Sequence, residues 1–156
     1  MGFLIAVVLL PFSVYADSHV PNIEKEWQMV NSKMWRMGSP EVGYFSVGTN
    51  SLYRSPDGSK HGVTLSFVGN DEVVLRAWWS GPEKTNDMNS VEFAVKDEKG
   101  EWVSGISGQG VGFEAALDDN GNIPFLFIFL LEPAGAYPAG TLIRTIAFSS
   151  PLKPEK

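Results

Sequence analysis

Arg76 and Trp78 are the residues of this sequence best suited to holding a ligand. They lie in Glu72–Trp79, where Val73, Leu75, Ala77 and Trp79 share one face of an expected strand and Val74, Arg76 and Trp78 share the other. With the first face in the core, a guanidinium and an indole stand side by side outside it. That pair offers a stacking surface beside a cationic donor, which suits a sugar or a carboxylate ligand. Arg76 and Trp78 are therefore the expected ligand-binding residues, with a ligand-free Arg–Trp contact as the competing outcome.

No catalytic residue can be assigned. The two histidines, His19 and His61, have no motif around them, and His61 in Asp57-Gly-Ser-Lys-His-Gly reads as an exposed turn residue. Ser107 sits in Gly105-Ile-Ser-Gly-Gln-Gly, which lacks the second glycine spacing of a nucleophile elbow. Gly105, Gly108, Gly110 and Gly112 miss the dinucleotide fingerprint because position 113 is Phe, and strand rather than helix follows. Bulges, a tight loop or close backbone approach account for them, with a ligand against bare backbone as the alternative. Glu72, Glu114 and Glu132 are scattered carboxylates from which no acid/base pair can be chosen.

Metal chemistry finds no better footing, and neither a metal nor a cofactor is expected. Asp118-Asp-Asn-Gly-Asn gathers oxygen ligands, but a calcium loop needs Gly at its sixth position and Glu at its twelfth, where this chain has Ile123 and Phe129. It reads as a hairpin turn. Met29, Met34 and Met37 are potential soft ligands, yet Met34 and Met37 belong to an apolar stripe and read as packing. Arg144 shares a strand face with Leu142, Ile146 and Phe148, so it requires a carboxylate partner that the sequence does not identify. The net charge is −6 with scattered basic residues, which argues against a phosphate backbone or an anionic membrane surface as partner.

The elements that must position these residues are mostly strands. Beyond Pro40 the apolar period is two, with segments expected at 43–47, 52–54, 63–67, 72–79, 91–95, 102–106, 111–117, 123–131 and 141–149. Between them, Gly69-Asn-Asp, Asp97-Glu-Lys-Gly and Asp118-Asp-Asn-Gly-Asn supply turn residues. The run at 123–131, Ile-Pro-Phe-Leu-Phe-Ile-Phe-Leu-Leu, does not alternate, so it is expected to be central with both faces covered. Upstream, Ile23, Trp27, Val30, Met34 and Met37 recur at helical spacing. This predicts one amphipathic helix over 22–37, capped at Asn22 and stopped by Gly38 and Pro40, and it is the natural cover for 123–131.

Residues 1–16 read as a signal peptide. The apolar run Phe3–Leu10 is far shorter than the roughly 20 residues of a membrane span, and Val14 and Ala16 are small residues ahead of a cut before Asp17. No Lys or Arg precedes the apolar run. Removal leaves about 140 residues, enough for one domain over 17–150 with a flexible tail at 151–156. Absence of cysteine and of Asn-x-Ser/Thr favours a bacterial envelope or exterior over a eukaryotic secretory route.

The expected architecture is mainly β: an antiparallel β-sandwich or flattened barrel with one N-terminal amphipathic helix and no membrane span in the mature chain. The expected function is an exported, non-catalytic binding or interaction domain for a glycan, a peptide or an envelope protein. Carriage of an apolar ligand is the alternative, and a carboxylate-dependent hydrolase ranks last. N-terminal sequencing of secreted material should return Asp17 as the first residue; intact Met1 in that material would overturn the export reading.

Overall fold

The computed structural model describes residues 19–68, 70–106 and 110–155, so the expected signal peptide lies outside the described residues. Among the described residues one helical turn, α1 (Ile23–Glu26), precedes nine strands. These are β1 (Gln28–Ser39), β2 (Gly43–Arg54), β3 (Lys60–Phe67), β4 (Asn70–Ser80), β5 (Glu92–Lys96), β6 (Trp102–Ile106), β7 (Val111–Ala116), β8 (Ile123–Leu130) and β9 (Leu142–Leu152). They form two antiparallel sheets, β1-β2-β3-β4-β5-β6 and β7-β8-β9, and neither closes into a barrel. Among the described residues no helix is long and apolar enough to cross a membrane.

Both sheets are simple meanders because the turns between successive strands carry their own chemistry. The Asp97 carboxylate accepts the Lys99 and Glu101 N–H groups at 2.9 and 2.8 Å, and Gly100 takes φ 84°. Asp118 does the same for Asn120 and Asn122, both at 2.9 Å, with Gly121 at φ 77°. Each Asp thereby satisfies backbone donors that the reversal of the chain leaves unpaired, and each glycine takes the left-handed position. The oxygen-rich Asp118 segment is thus a hairpin turn between β7 and β8.

Between the sheets lies a shared core. Phe45, Val47, Phe67, Phe93 and Val95 of the larger sheet meet Leu126, Ile128, Leu130 and Ile146 of the smaller one. Each such side chain contributes about 1.5–3 kcal/mol through removal from water. Leu65 opposes Leu75, but the next pair is Ser66 with Val73, which leaves Val74 as the extra residue of a bulge. Val74 is consequently turned into the core rather than standing beside Arg76 and Trp78.

The helix expected over 22–37 is not formed. Helical hydrogen bonding stops after one turn, Trp27 is extended (φ −104°, ψ 159°), and 28–39 is strand β1, paired with β2 along its length. Met29 and Met34, at 52 and 64 % exposure, face solvent rather than a core. The spacing of apolar residues was a coincidence of a mostly exposed edge strand in which only Trp35 and Met37 pack inward. Val30, Asn31, Ser32 and Trp35 are indifferent helix formers, and pairing to β2 outweighs their local preference.

Strand β8 is central in its sheet, as its composition requires. Its second face is not covered, because the helix assigned to cover it does not exist. Ile123, Leu126, Ile128 and Leu130 are fully buried, whereas Phe125 is 44 % exposed and Phe127 and Phe129 are half-buried. The Phe129 ring lies over Gly112 of β7, where a Cβ would approach it to 2.7 Å. Residues 151–155, expected as a loose tail, extend β9 through Leu152 and then bridge Glu155 to Tyr44 of β2. The Glu155 carboxylate accepts the Ser46 hydroxyl at 2.6 Å and pairs with Arg36 at 3.3 Å.

One-sided burial of β8 has a measurable signature. Leu126→Ala should lower unfolding stability by about 2–5 kcal/mol, and Phe125→Ser by less than about 1 kcal/mol, in urea titrations. Equal losses would mean that both faces are covered.

Candidate functional site

Arg76 and Trp78 do stand side by side on the face of β4 turned away from the shared core. Across the sheet Arg76 aligns with Thr64 and Ala94, and Trp78 with Gly62 and Glu92. Neither is open to solvent, at 9 and 3 % exposure. The segment preceding β1 covers them. Ile23 is fully buried over this face, in a second cluster with Tyr53, Trp78 and Ala94 against which Val20, Trp27 and Trp102 pack. Gly62 makes the seat: a Cβ there would come within 2.9 Å of Ile23 Cδ1 and 3.0 Å of the Trp27 ring.

Polar groups lock the same segment in place. Arg76 donates from Nε and Nη2 to the two oxygens of Glu24, both at 2.7 Å, and from Nη2 to Asn22 Oδ1 at 3.0 Å. The guanidinium carbon lies 4.2 Å from the centroid of the Trp102 ring, so cation–π contact and a two-point ion pair act on one group. Trp78 Nε1 donates to Glu92 Oε2 at 2.8 Å, and Glu92 Oε1 meets His19 Nε2 at 2.8 Å. The stacking and donor surface expected for a ligand is therefore occupied by the chain's own residues 19–27. Asn22 was legible only as a helix cap; in the structure its side chain makes no cap bond and serves Arg76 instead.

A different opening lies between the sheets. Among the described residues six strands oppose three, and inner-face residues of β3 and β4 share an opening with Val111 of the edge strand β7. There a cleft of about 570 Å³ is walled by Val63, Leu75, Ala77, Trp79, Phe93 and Val111, with the loop Glu83–Met88 at its rim. A second space of about 150 Å³ shares the Val63 and Leu75 walls and is bounded also by Trp35, Asn50 and Phe113. On the other side of Phe113 a third space, about 340 Å³, reaches Met37, Phe45, Ala115 and Leu117. The openings thus follow β7 from end to end.

Several residues singled out in the sequence shape this cleft. Gly105 and Gly110 admit the Phe93 ring, since a Cβ would sit 3.1 and 2.0 Å from it, while Gly108 lies outside the described residues. These glycines serve close approach. His61 is buried, not an exposed turn residue, because its strand partner Trp79 stacks on it at 6.4 Å. Its Nδ1 meets the Gly81 carbonyl at 2.8 Å and its Nε2 accepts from Arg54 Nε at 3.4 Å. Trp79 Nε1 donates to the Pro82 carbonyl at 2.8 Å, which fixes the start of the rim loop.

Arg144 has its carboxylate partner in Glu72. The two form a bidentate pair at 2.8 and 3.3 Å that joins β9 of one sheet to β4 of the other, and Lys96 adds a contact at 3.2 Å. Hydrogen bonds from Arg144 and then Lys96 pull the Glu72 carboxyl down to about 2, against the opposing effect of partial burial. Glu72 is therefore committed to holding the sheets together, while Glu114 is exposed on β7 and Glu132 is exposed after β8. These three belong to separate segments of the chain. No protein-family model, curated protein or solved structure matches this chain.

The lowered Glu72 value sets a pH dependence. In the unfolded chain this carboxyl titrates near its ordinary 4.5, so the unfolded state takes up the proton first as pH falls. The stabilisation is complete above about 4.5 and disappears as pH drops through about 2. Glu72→Gln should destabilise the domain at pH 7 and flatten this acid limb in urea unfolding followed between pH 2 and 7. An unchanged limb would show that the pair contributes nothing.

Proposed function

We propose that this is an exported, non-catalytic binding domain of the bacterial envelope or exterior, and that its binding site is the cleft between the sheets. The export reading rests on the apolar run Phe3–Leu10 followed by the small-residue cut before Asp17, in a chain free of cysteine. The architecture reads as an incomplete β-sandwich, in which the smaller layer stops short of its partner. One observation carries the site: Val63, Leu75 and Ala77 lie on the inner face of a central pair of strands yet remain half-buried beside a space of about 570 Å³. Openings of a few hundred cubic ångströms with apolar walls and a few polar rim groups are the usual form of a binding site. Filling this one removes apolar surface from water at about 25 cal/mol per Å².

The Arg76 and Trp78 face supports the reading indirectly. Residues 19–27 close that face, which leaves the inner cleft as the apolar opening that a partner meets. The volume suits an apolar small molecule as well as part of a peptide, so carriage of an apolar ligand stands as the second reading.

A neutral fluorescent probe, N-phenyl-1-naphthylamine, should bind the purified chain saturably with a rise in emission. Ala77→Phe, with its fold verified by circular dichroism, should weaken that binding at least tenfold, and Phe125→Ser on the outer face of β8 should leave it unchanged. The opposite pattern would move the apolar site from the cleft to the outer face.

A further inference from the structure

Resting on the cleft as the binding site, we infer that its occupant is an extended polypeptide strand of a partner protein, uncharged and apolar at alternate positions, which adds to the free edge of β7. Among the described residues β7 pairs only with β8. The Leu131 N–H donates to the Gly110 carbonyl at 3.1 Å, and the register continues through Val111 with Leu130 and Gly112 with Phe129. In an antiparallel ladder the backbone groups of successive residues point to opposite sides. Those of Gly110, Gly112 and Glu114 therefore point to β8, and those of Val111, Phe113 and Ala115 point to the cleft.

The chemistry of the cleft selects a strand over a lipid. An apolar molecule fills the space against Val63, Leu75 and Phe113 but leaves the outward N–H and C=O groups of β7 without partners once water is displaced. An added strand satisfies those groups, and its alternate side chains enter the same space. Charge argues the same way. The middle section is bounded by Trp35, Asn50, Val63, Thr64, Leu65, Leu75 and Phe113, none of them charged, so the inserted positions are apolar. The charged side chains stand at the two ends, Glu83 and Lys84 at one and Glu114 at the other.

The edges differ in how far they resist such pairing. β1 carries Lys33, Arg36 and two register irregularities, and β9 carries Pro151 and two more. Such features protect an edge against further strands. β7 has neither a bulge nor Pro, Lys or Arg, its one charge being Glu114; β6, the other edge of the larger sheet, shares that lack but lines none of the openings along β7. Its six residues match a strand of about six to eight residues, roughly 20 Å long.

The test uses a mixture of synthetic peptides of about eight residues, with Val, Ile, Leu or Phe at alternate positions and Ser or Thr between. A second mixture is N-methylated at alternate residues, which removes the edge hydrogen bonds and keeps the side chains. The first mixture should displace N-phenyl-1-naphthylamine from the full chain and slow hydrogen exchange at the Val111, Phe113 and Ala115 amides. N-methylation should weaken displacement at least tenfold. Ala115→Pro, which removes one donor toward the cleft and spares the β8 ladder, should weaken binding of the first mixture by a larger factor than it weakens probe binding; equal weakening would speak against backbone pairing. Probe binding without peptide competition, or equal competition by both mixtures, overturns the strand while the cleft stands. Absence of probe binding overturns the cleft itself. Concentration-dependent dimerisation that protects the same amides without peptide replaces the partner strand with a second copy and overturns the proposal as stated.

Discussion

A sheet of six strands has two faces to keep from water, and this chain covers them by two unequal means. The inner face packs on a sheet of only three strands, and the part of the outer face around Arg76 and Trp78 is covered by nine residues, 19–27, that make a single helical turn. The remaining organisation follows from that inequality. The short segment suffices on the outer face because Ile23 fills the space left by Gly62, and because Arg76, Glu24 and Asn22 satisfy one another beneath it. An unpaired guanidinium in that position would be costly, so Arg76 and the segment that covers it depend on each other.

On the inner side the shortage of strands has the opposite consequence. Around Leu126, Ile128 and Leu130 the two layers meet in a closely packed core, but among the described residues the wall formed by Val63, Leu75 and Ala77 is only partly covered, by Val111 and Phe113 of β7. The Glu72–Arg144 pair and the Glu155–Tyr44 bridge tie the layers at other points and leave this side untied. The cleft proposed for binding therefore lies where the smaller sheet stops short of the larger one. The aromatic–cationic pair is the most conspicuous combination in the sequence, and it holds the structure closed.

Individual residues show what was legible in advance. The strand alternation of 63–67, 91–95 and 111–117, the Asp-led turns and the central place of β8 follow from side-chain period and turn chemistry, both of which act over a few residues. The need of Arg144 for a carboxylate was likewise readable, since desolvating a guanidinium demands one, but Glu72 lies 72 positions away in sequence. The apolar spacing from Ile23 to Met37 misled because an edge strand with few buried positions leaves helical and strand periods poorly distinguished. His61 was misplaced for a related reason: it is polar and sits among turn residues, and its burial comes from the stacking of Trp79 on the neighbouring strand.

By itself the sequence determined a cysteine-free, mainly β chain, the approximate course of most of its strands, and the side-by-side placing of Arg76 and Trp78 on one face of β4. Those properties are local, carried by backbone preference and by which side chains alternate. Only the tertiary structure decided that 28–39 is a strand, that Arg76 and Trp78 are enclosed by residues 19–27, and that an apolar cleft lies along β7. Each of those outcomes is set by pairing and packing between distant segments. In a chain divided into sheets of six and three strands, the count of strands on each side, which no local pattern records, determines which apolar faces are covered and which remains open.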